Sequence, residues 1–347
     1  MNKEPREVYM ISGGVTKFAR SHPDKTFQYM VKSAFDYALK DVPDLTLKEI
    51  DGSVGSYFSD HFTRQLMAGL MVHDYLGLCP KPSKRVEGGG ATGGLCFQAA
   101  YSAIASGRME VCLAFGFETM SRVNTWKGNE FIALASDTNF DYPVGGFYTG
   151  YYAMMVVRHM FEFGTTVEQL AKVSIKNHGN AIYNPYAQSP RKLTVEEVRS
   201  SPMVAYPLTM LDICTMSDGA AVSILASKEK CFEFCDKPIK ITGVGTGTDA
   251  MRLSDRPRGK VILLPWEREE DYEGLEYPGV HSCRAGRIAA KMAYEQAGII
   301  NKKSIDFVEL YDSYTSSEIQ AYEDLGLCKY GEGGLFIEKW IPSYFQD

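Results

Sequence analysis

The chain has 347 residues, 45% of them hydrophobic and 23% charged, with a formal net charge of -6. That is ordinary globular composition, and the length suffices for two domains or one large α/β unit. The acidic balance argues against a nucleic-acid or anionic-membrane partner, and no apolar run approaches the roughly 18 residues that span a bilayer.

In chain order, Val8 to Gly14 reads as a buried strand ending in a turn. Phe27, Met30, Val31, Ala34, Phe35, Ala38 and Leu39 then recur at helical spacing, with Pro23-Asp24 as the start signal. Strands are predicted at Gly52 to Phe58 and Val111 to Phe117, and helices at about 63–76 and 91–106. Such alternation predicts a layered α/β domain. From Ser121 to Leu211 the texture turns rich in Tyr, Asn, Pro and Met, with helical patterns near 150–163 and 167–179. A long insertion of that kind builds substrate pockets. Ala220 to Ala226 is a further strand. A second strand–helix series starts at Ile239, with a helix marked by Ile288, Met292 and Ala297, a strand at Ile305 to Leu310 and a helix at Ser316 to Leu325. The two halves share a layout without a letter-by-letter repeat. The division predicted is 1–120 with 211–235 as one half, 121–210 as the insertion over the site, and 236–347 as an incomplete second half.

The eight cysteines read as free thiols of a reducing compartment. Cys231 and Cys235 have no second pair and no nearby His, so no metal site is expected. The opening residues carry no secretory pattern and the final ones no peroxisomal address, which predicts a cytoplasmic protein.

Several patches, in order along the chain, resemble the thiolase superfamily in its archaeal and sterol-carrier-protein-type branch. They are Val86-Glu87-Gly88-Gly89-Gly90-Ala91-Thr92-Gly93-Gly94, Glu118-Thr119-Met120-Ser121, Lys176 to Ala181, Ser201 to Ala205, Leu211-Asp212-Ile213-Cys214, Ser217 to Ala221 and Ala321-Tyr322-Glu323-Asp324-Leu325-Gly326. The resemblance implies a duplicated five-layer α-β-α-β-α fold, here with its C-terminal part missing. It also implies a homodimer, a coenzyme A thioester as substrate, no covalently bound cofactor, and a small zinc-ribbon/OB-fold subunit that helps bind acyl-CoA.

The family's chemistry uses a nucleophilic Cys, an Asn or His at a strand end, a His in Gly-His-Pro and a second Cys in Cys-x-Gly. A thiolate accepts the acyl group while donors hold the developing oxyanions. This chain departs at each: the nucleophile position is Gly90, the strand end reads Leu310-Tyr311-Asp312-Ser313, and the last two motifs are absent. A Gly-Gly-Gly turn with a Leu-Tyr-Asp strand end is similar to the Cys-less steroid side-chain aldolases of the same superfamily. Retro-aldol cleavage of a 3-hydroxyacyl-CoA needs no acyl-enzyme.

The candidate site residues follow. Gly88, Gly89 and Gly90 would offer backbone N–H groups at a helix start, or form a plain tight turn. Tyr311 would donate to an oxyanion, or shuttle a proton if its pKa were lowered. His281 and Cys283 form either a substitute Cys–His pair or a helix-cap loop. Tyr148 and Asp312 are expected to contact substrate. The aromatic insertion (Tyr142, Phe147, Tyr148, Tyr151, Tyr152) suits a bulky or aromatic acyl chain, or simply packs helices. Three readings stay open: a Cys-independent retro-aldol or Claisen enzyme, a β-ketothiolase with a thiol from elsewhere, and a catalytically silent scaffold subunit.

Overall fold

The computed structural model describes residues 5–340. The elements run β1 (Val8–Val15), α1 (Phe27–Leu39), β2 (Gly52–Ser56), α2 (Asp60–Thr63), α3 (Ala68–Tyr75), β3 (Ser83–Val86), α4 (Thr92–Ala105) and β4 (Val111–Thr119). Next come α5 (Thr125–Ala133), α6 (Tyr148–Phe163), α7 (Val167–Asn180), α8 (Val195–Ser200), β5 (Met203–Ala205), β6 (Leu208–Thr209), β7 (Asp218–Ser227), α9 (Lys228–Phe234) and β8 (Ile239–Ile241). The chain continues with β9 (Arg258–Lys260), β10 (Glu276–Pro278), α10 (Arg284–Ala297), α11 (Thr315–Asp324) and α12 (Gly333–Trp340). Among the described residues no helix is long and apolar enough to cross a membrane. Two compact units emerge: one of residues 1–131, 185–188 and 216–241, the other of 132–184, 189–215 and 242–347.

The first unit is built on a six-stranded mixed sheet ordered β3-β2-β4-β7-β1-β8. β2 runs parallel to β3 and β4, while β4–β7, β7–β1 and β1–β8 are antiparallel. The near-continuous apolar run of β4 has a two-sided cause. Val111, Leu113, Phe115 and Phe117 face a core shared with Met30, Val31, Ala34 and Val72 of α1 and α3. Cys112 and Ala114 face a second core with Cys96, Ala100 and Ile104 of α4. Side chains alternate across a strand, so a strand buried on both faces needs apolar residues at every position.

Three predicted details differ. Helix α1 starts at Thr26, whose hydroxyl accepts from the Tyr29 N–H at 3.2 Å, and not at Pro23-Asp24. The helix expected over 63–76 is two pieces, α2 and α3, because Arg64 and Met67 take left-handed backbone conformations at φ 51° and 56°. Ile239–Ile241 closes the edge of the first sheet against β1 instead of opening a second one.

In the second unit, the strand expected at 305–310 is absent. Those residues carry no ladder because no described strand pairs with them, and a strand forms only where a neighbour takes its N–H and C=O groups. The described strands of this unit are the two short pairs β5–β6 and β9–β10. An echo of the first half survives in the packing. Residues Gly243, Gly245 and Gly247 lie along α10: a Cβ at each would stand 2.1, 1.9 and 2.1 Å from the carbonyl oxygens of Ala293, Ala289 and Ala285. Those alanines recur every four residues and so share one helix face. In the first unit Gly14 of β1 meets α1 the same way, 2.0 Å from the Ala34 carbonyl.

Candidate active site

The glycine turn belongs to the first unit. After β3 the chain makes a tight 3-10 turn over Gly89–Ala91 before entering α4. Gly89 has φ +58° and so requires glycine, while a Cβ at Gly88 would meet the tip of the Leu95 side chain at 2.2 Å and push it aside. The Gly88 N–H donates to the Thr92 hydroxyl at 3.0 Å and the Gly89 N–H to Glu87 at 2.6 Å; the Thr92 hydroxyl donates to the Gly89 carbonyl at 2.6 Å. Two of the three amides of the turn are therefore engaged within the chain. Gly90, at the nucleophile position, is exposed and has no side chain to acylate.

The remaining candidates lie in the second unit. Tyr311 is placed by a tie between two segments: Ile213 pairs with Tyr314 as an antiparallel bridge, and the Cys214 N–H donates to the Ser313 carbonyl at 2.9 Å. Asp212 anchors that tie, accepting from the Thr315 hydroxyl at 3.0 Å and the Thr209 N–H at 2.9 Å, with Arg199 at 3.1 Å. Residues 310–312 thus lead into α11 with Tyr311 at its approach.

By area Tyr311 is 66% exposed. Protein atoms still crowd its hydroxyl enough to push the pKa up, through burial first and then the neighbouring Cys214 and Tyr152, with the Ser313 hydroxyl opposing. The lowered pKa that a proton shuttle needs is not met: desolvation favours the neutral phenol, which leaves Tyr311 a hydrogen-bond donor.

Asp312 is pushed up by burial and by the like charge of Glu318. The Asn177 amide nitrogen lies 2.5 Å from a carboxylate oxygen of each, and Lys176 pairs with Glu318 at 2.6 Å. Asn177 thus holds two acids that repel each other, the arrangement that keeps one poised to take a proton.

The tyrosines from α6 line the same region. Tyr152 stacks on Tyr314 with ring centroids 4.1 Å apart, and the Tyr314 hydroxyl meets that of Thr149 at 3.1 Å. Tyr148 donates to the Ala135 carbonyl at 3.2 Å and its pKa is pushed up to about 12 by burial and by Tyr152, Tyr151 and Tyr311. The predicted helix over 150–163 is α6, and its tyrosines pack and hydrogen-bond within the second unit, as the packing use of the aromatic insertion expects.

His281 and Cys283 do not form a hydrogen-bonded pair. Neither ring nitrogen of His281 has a partner, while its ring packs edge-on against His159 with centroids 4.3 Å apart. Cys283 caps α10, and burial followed by the Asp324 charge pushes its thiol up to about 12. The thiol nearest to Tyr311 in chemistry is Cys214, which sequence reasoning passed over; its signal was a place in the Leu211-Asp212-Ile213-Cys214 patch. It too is raised by burial and then by Asp312, so neither thiol is an activated nucleophile.

A profile described as "Thiolase, N-terminal domain" matches residues 8–229, and one described as "Thiolase C-terminal domain-like" matches 276–340. The chain is 36% identical to an acetyl-CoA acetyltransferase of Methanothermobacter thermautotrophicus, over 96% of this chain and 80% of that protein. It is 32% identical to the benzoylsuccinyl-CoA thiolase subunit BbsB of Thauera aromatica, over 96% and 79%. Among solved structures it superposes on an "Ltp2-ChsH2(DUF35) aldolase" with TM-score 0.76 and 25% identity, covering 96% of this chain and 81% of that one. With a sheet layered between helices and profile matches across both halves, the chain belongs to the thiolase superfamily, in its sterol-carrier-protein-type branch.

Proposed function

We propose that this protein breaks or makes a carbon–carbon bond beside a CoA thioester without an acyl-enzyme, by retro-aldol or Claisen-type chemistry. One observation carries the reading: Tyr311, a proton-bearing phenol, stands next to an acid of raised pKa, while the three thiols of the unit, Cys214, Cys283 and Cys328, are all pushed up by burial and held protonated. On a 3-hydroxyacyl-CoA, Asp312 takes the hydroxyl proton as the C2–C3 bond breaks. The electron pair passes into the thioester enolate, whose oxygen accepts from the Tyr311 hydroxyl. Reprotonation at C2 releases a carbonyl compound and a shortened acyl-CoA. Preorganised donors of this kind lower barriers because they require no reorganisation as charge develops. The resemblance to an aldolase at 25% identity supports this reaction class, and the two components of that neighbour, Ltp2 and ChsH2 (DUF35), support an accessory subunit for this chain. A homodimer and the aromatic character of the acyl chain belong to the same proposal.

A β-ketothiolase is the second reading, favoured by the 36% identity to an acetyltransferase and by Cys214 beside Tyr311. Mass-spectrometric product analysis separates the two, with 3-oxoacyl- and 3-hydroxyacyl-CoAs incubated with and without free CoA and with the accessory subunit present. Cleavage of a hydroxyacyl-CoA without free CoA is the expected result. Consumption of free CoA would replace it with the thiolase reading, and no turnover across the panel would leave a scaffold subunit.

A further inference from the structure

We infer that the interior of the second unit holds one divalent d-block cation, zinc foremost, between His159, His281 and Glu323. Each offers a ligand atom, and the three atoms lie within 4.8 Å of one another, among fully buried side chains. A tetrahedral zinc with bonds of about 2.0–2.1 Å brings its ligand atoms to about 3.3 Å apart, so modest side-chain rotation closes the set. Two imidazoles and a carboxylate are a donor set that zinc takes readily.

Two independent features mark this as a built site. First, its ligands are oriented from behind: the second nitrogen of His159 meets the Thr165 hydroxyl at 2.8 Å, and the Gly333 N–H donates to Glu323 Oε1 at 2.9 Å. Hydrogen bonds of that kind fix the tautomer and direction of metal ligands. Second, polar atoms without partners converge there. Both nitrogens of His281 and Glu323 Oε2 are buried with none. The Met155 carbonyl acts on the His281 ring only weakly, outside hydrogen-bond geometry. Such groups are rare because a buried donor or acceptor left unpaired pays its full desolvation penalty. The one protein bond within the trio, His159 Nε2 to Glu323 Oε1 at 2.9 Å, leaves His281 unsatisfied; a cation replaces that bond and employs all three. Glu323 also supplies compensating negative charge.

The test is metal analysis of the full, untagged chain by inductively coupled plasma mass spectrometry, followed by refolding with Co²⁺. About one zinc per chain is expected, and visible d–d absorption of tetrahedral Co²⁺ in its place. His281→Ala and Glu323→Gln should each lower the bound metal more than about tenfold, while His61→Ala, on the exposed stack with Phe131, leaves it unchanged. Wild-type protein with under about a tenth of an equivalent of any d-block metal, and no Co²⁺ bands after refolding, would overturn the inference in favour of buried water. The wild-type measurements decide even if a ligand variant fails to fold.

Discussion

Tyr311 stands within the electrostatic reach of Cys214: a thiolate there would raise the phenol, and burial raises both groups. A tyrosine held neutral beside a thiol held neutral is a donor pair rather than a nucleophile and its base. Replacing Tyr311 with Phe removes the donor and keeps the ring. The expected outcome is a fall in kcat of about 10²-fold or more with KM little changed, measured by single-turnover product analysis.

The thiols give the converse prediction. Cys214→Ser and Cys283→Ser should each retain activity within about threefold, because a Cys-independent reaction stores no barrier reduction in a thioester bond. Iodoacetamide at pH 7.5 should leave Cys283 unlabelled, its thiol being pushed up to about 12. Labelling that tracks loss of turnover would point to the thiolase reading.

Glu118, at the end of β4, supplies a pH signature. Burial, with Asp218 as a like charge, pushes it up to about 7 against the opposing Phe58 N–H at 2.5 Å and Arg85. Its other carboxylate oxygen is buried without a partner. The folded state therefore binds a proton that the unfolded state releases near pH 4.5. This contribution is fully present below about 4.5, declines as pH rises and is gone above about 7, where the buried charge costs up to about 3 kcal/mol. Urea unfolding at pH 5 and pH 8 should show that slope in the wild type and a flatter one in Glu118→Gln.

Glycines separate by what surrounds them. Gly245→Ala drives a methyl into the Ala289 carbonyl and should destabilise by at least about 2 kcal/mol. Gly94→Ala, in α4 with nothing within 4 Å, should stabilise by about 0.5–1 kcal/mol through helix propensity. Opposite shifts in the urea midpoint check both.

Removing the first helix cap, Thr26→Ala, should cost about 1 kcal/mol, since the Tyr29 N–H then loses its side-chain acceptor. The same substitution at Ser33, whose hydroxyl donates to the Tyr29 carbonyl mid-helix, should cost little.

What the sequence made legible follows from how local each cause is. β4 was readable because both of its faces are buried and every position is apolar; α6, α7 and α10 were readable from helical periodicity. Arg64 and Met67 broke a predicted helix because a left-handed backbone at these residue types leaves no compositional mark. Ile305 to Leu310 has the composition of a strand but lacks the pairing, which composition does not encode. At the site, Tyr311 and the glycine turn stood out by departing from a family pattern. Cys214 did not, since its meaning depends on the bridge from Ile213 to Tyr314. His159, His281 and Glu323 were invisible for the same reason: three distant stretches meet only in the folded unit, and His281 looked like half of a Cys–His pair because Cys283 is near it in sequence.

The central placement of β4, between β2 and β7 and roofed on both faces, carries a further consequence for how the molecule opens. Its amides from Cys112 to Ala114 are reachable by solvent only when the entire first unit comes apart, so in heavy water they should retain their protons longest. The backbone amides of 306–310, without a ladder, should exchange at nearly the rate of a free peptide. A protease sampling the native protein would accordingly find its first cut around Phe307, which is 83% exposed, and leave the six-stranded sheet as the surviving fragment.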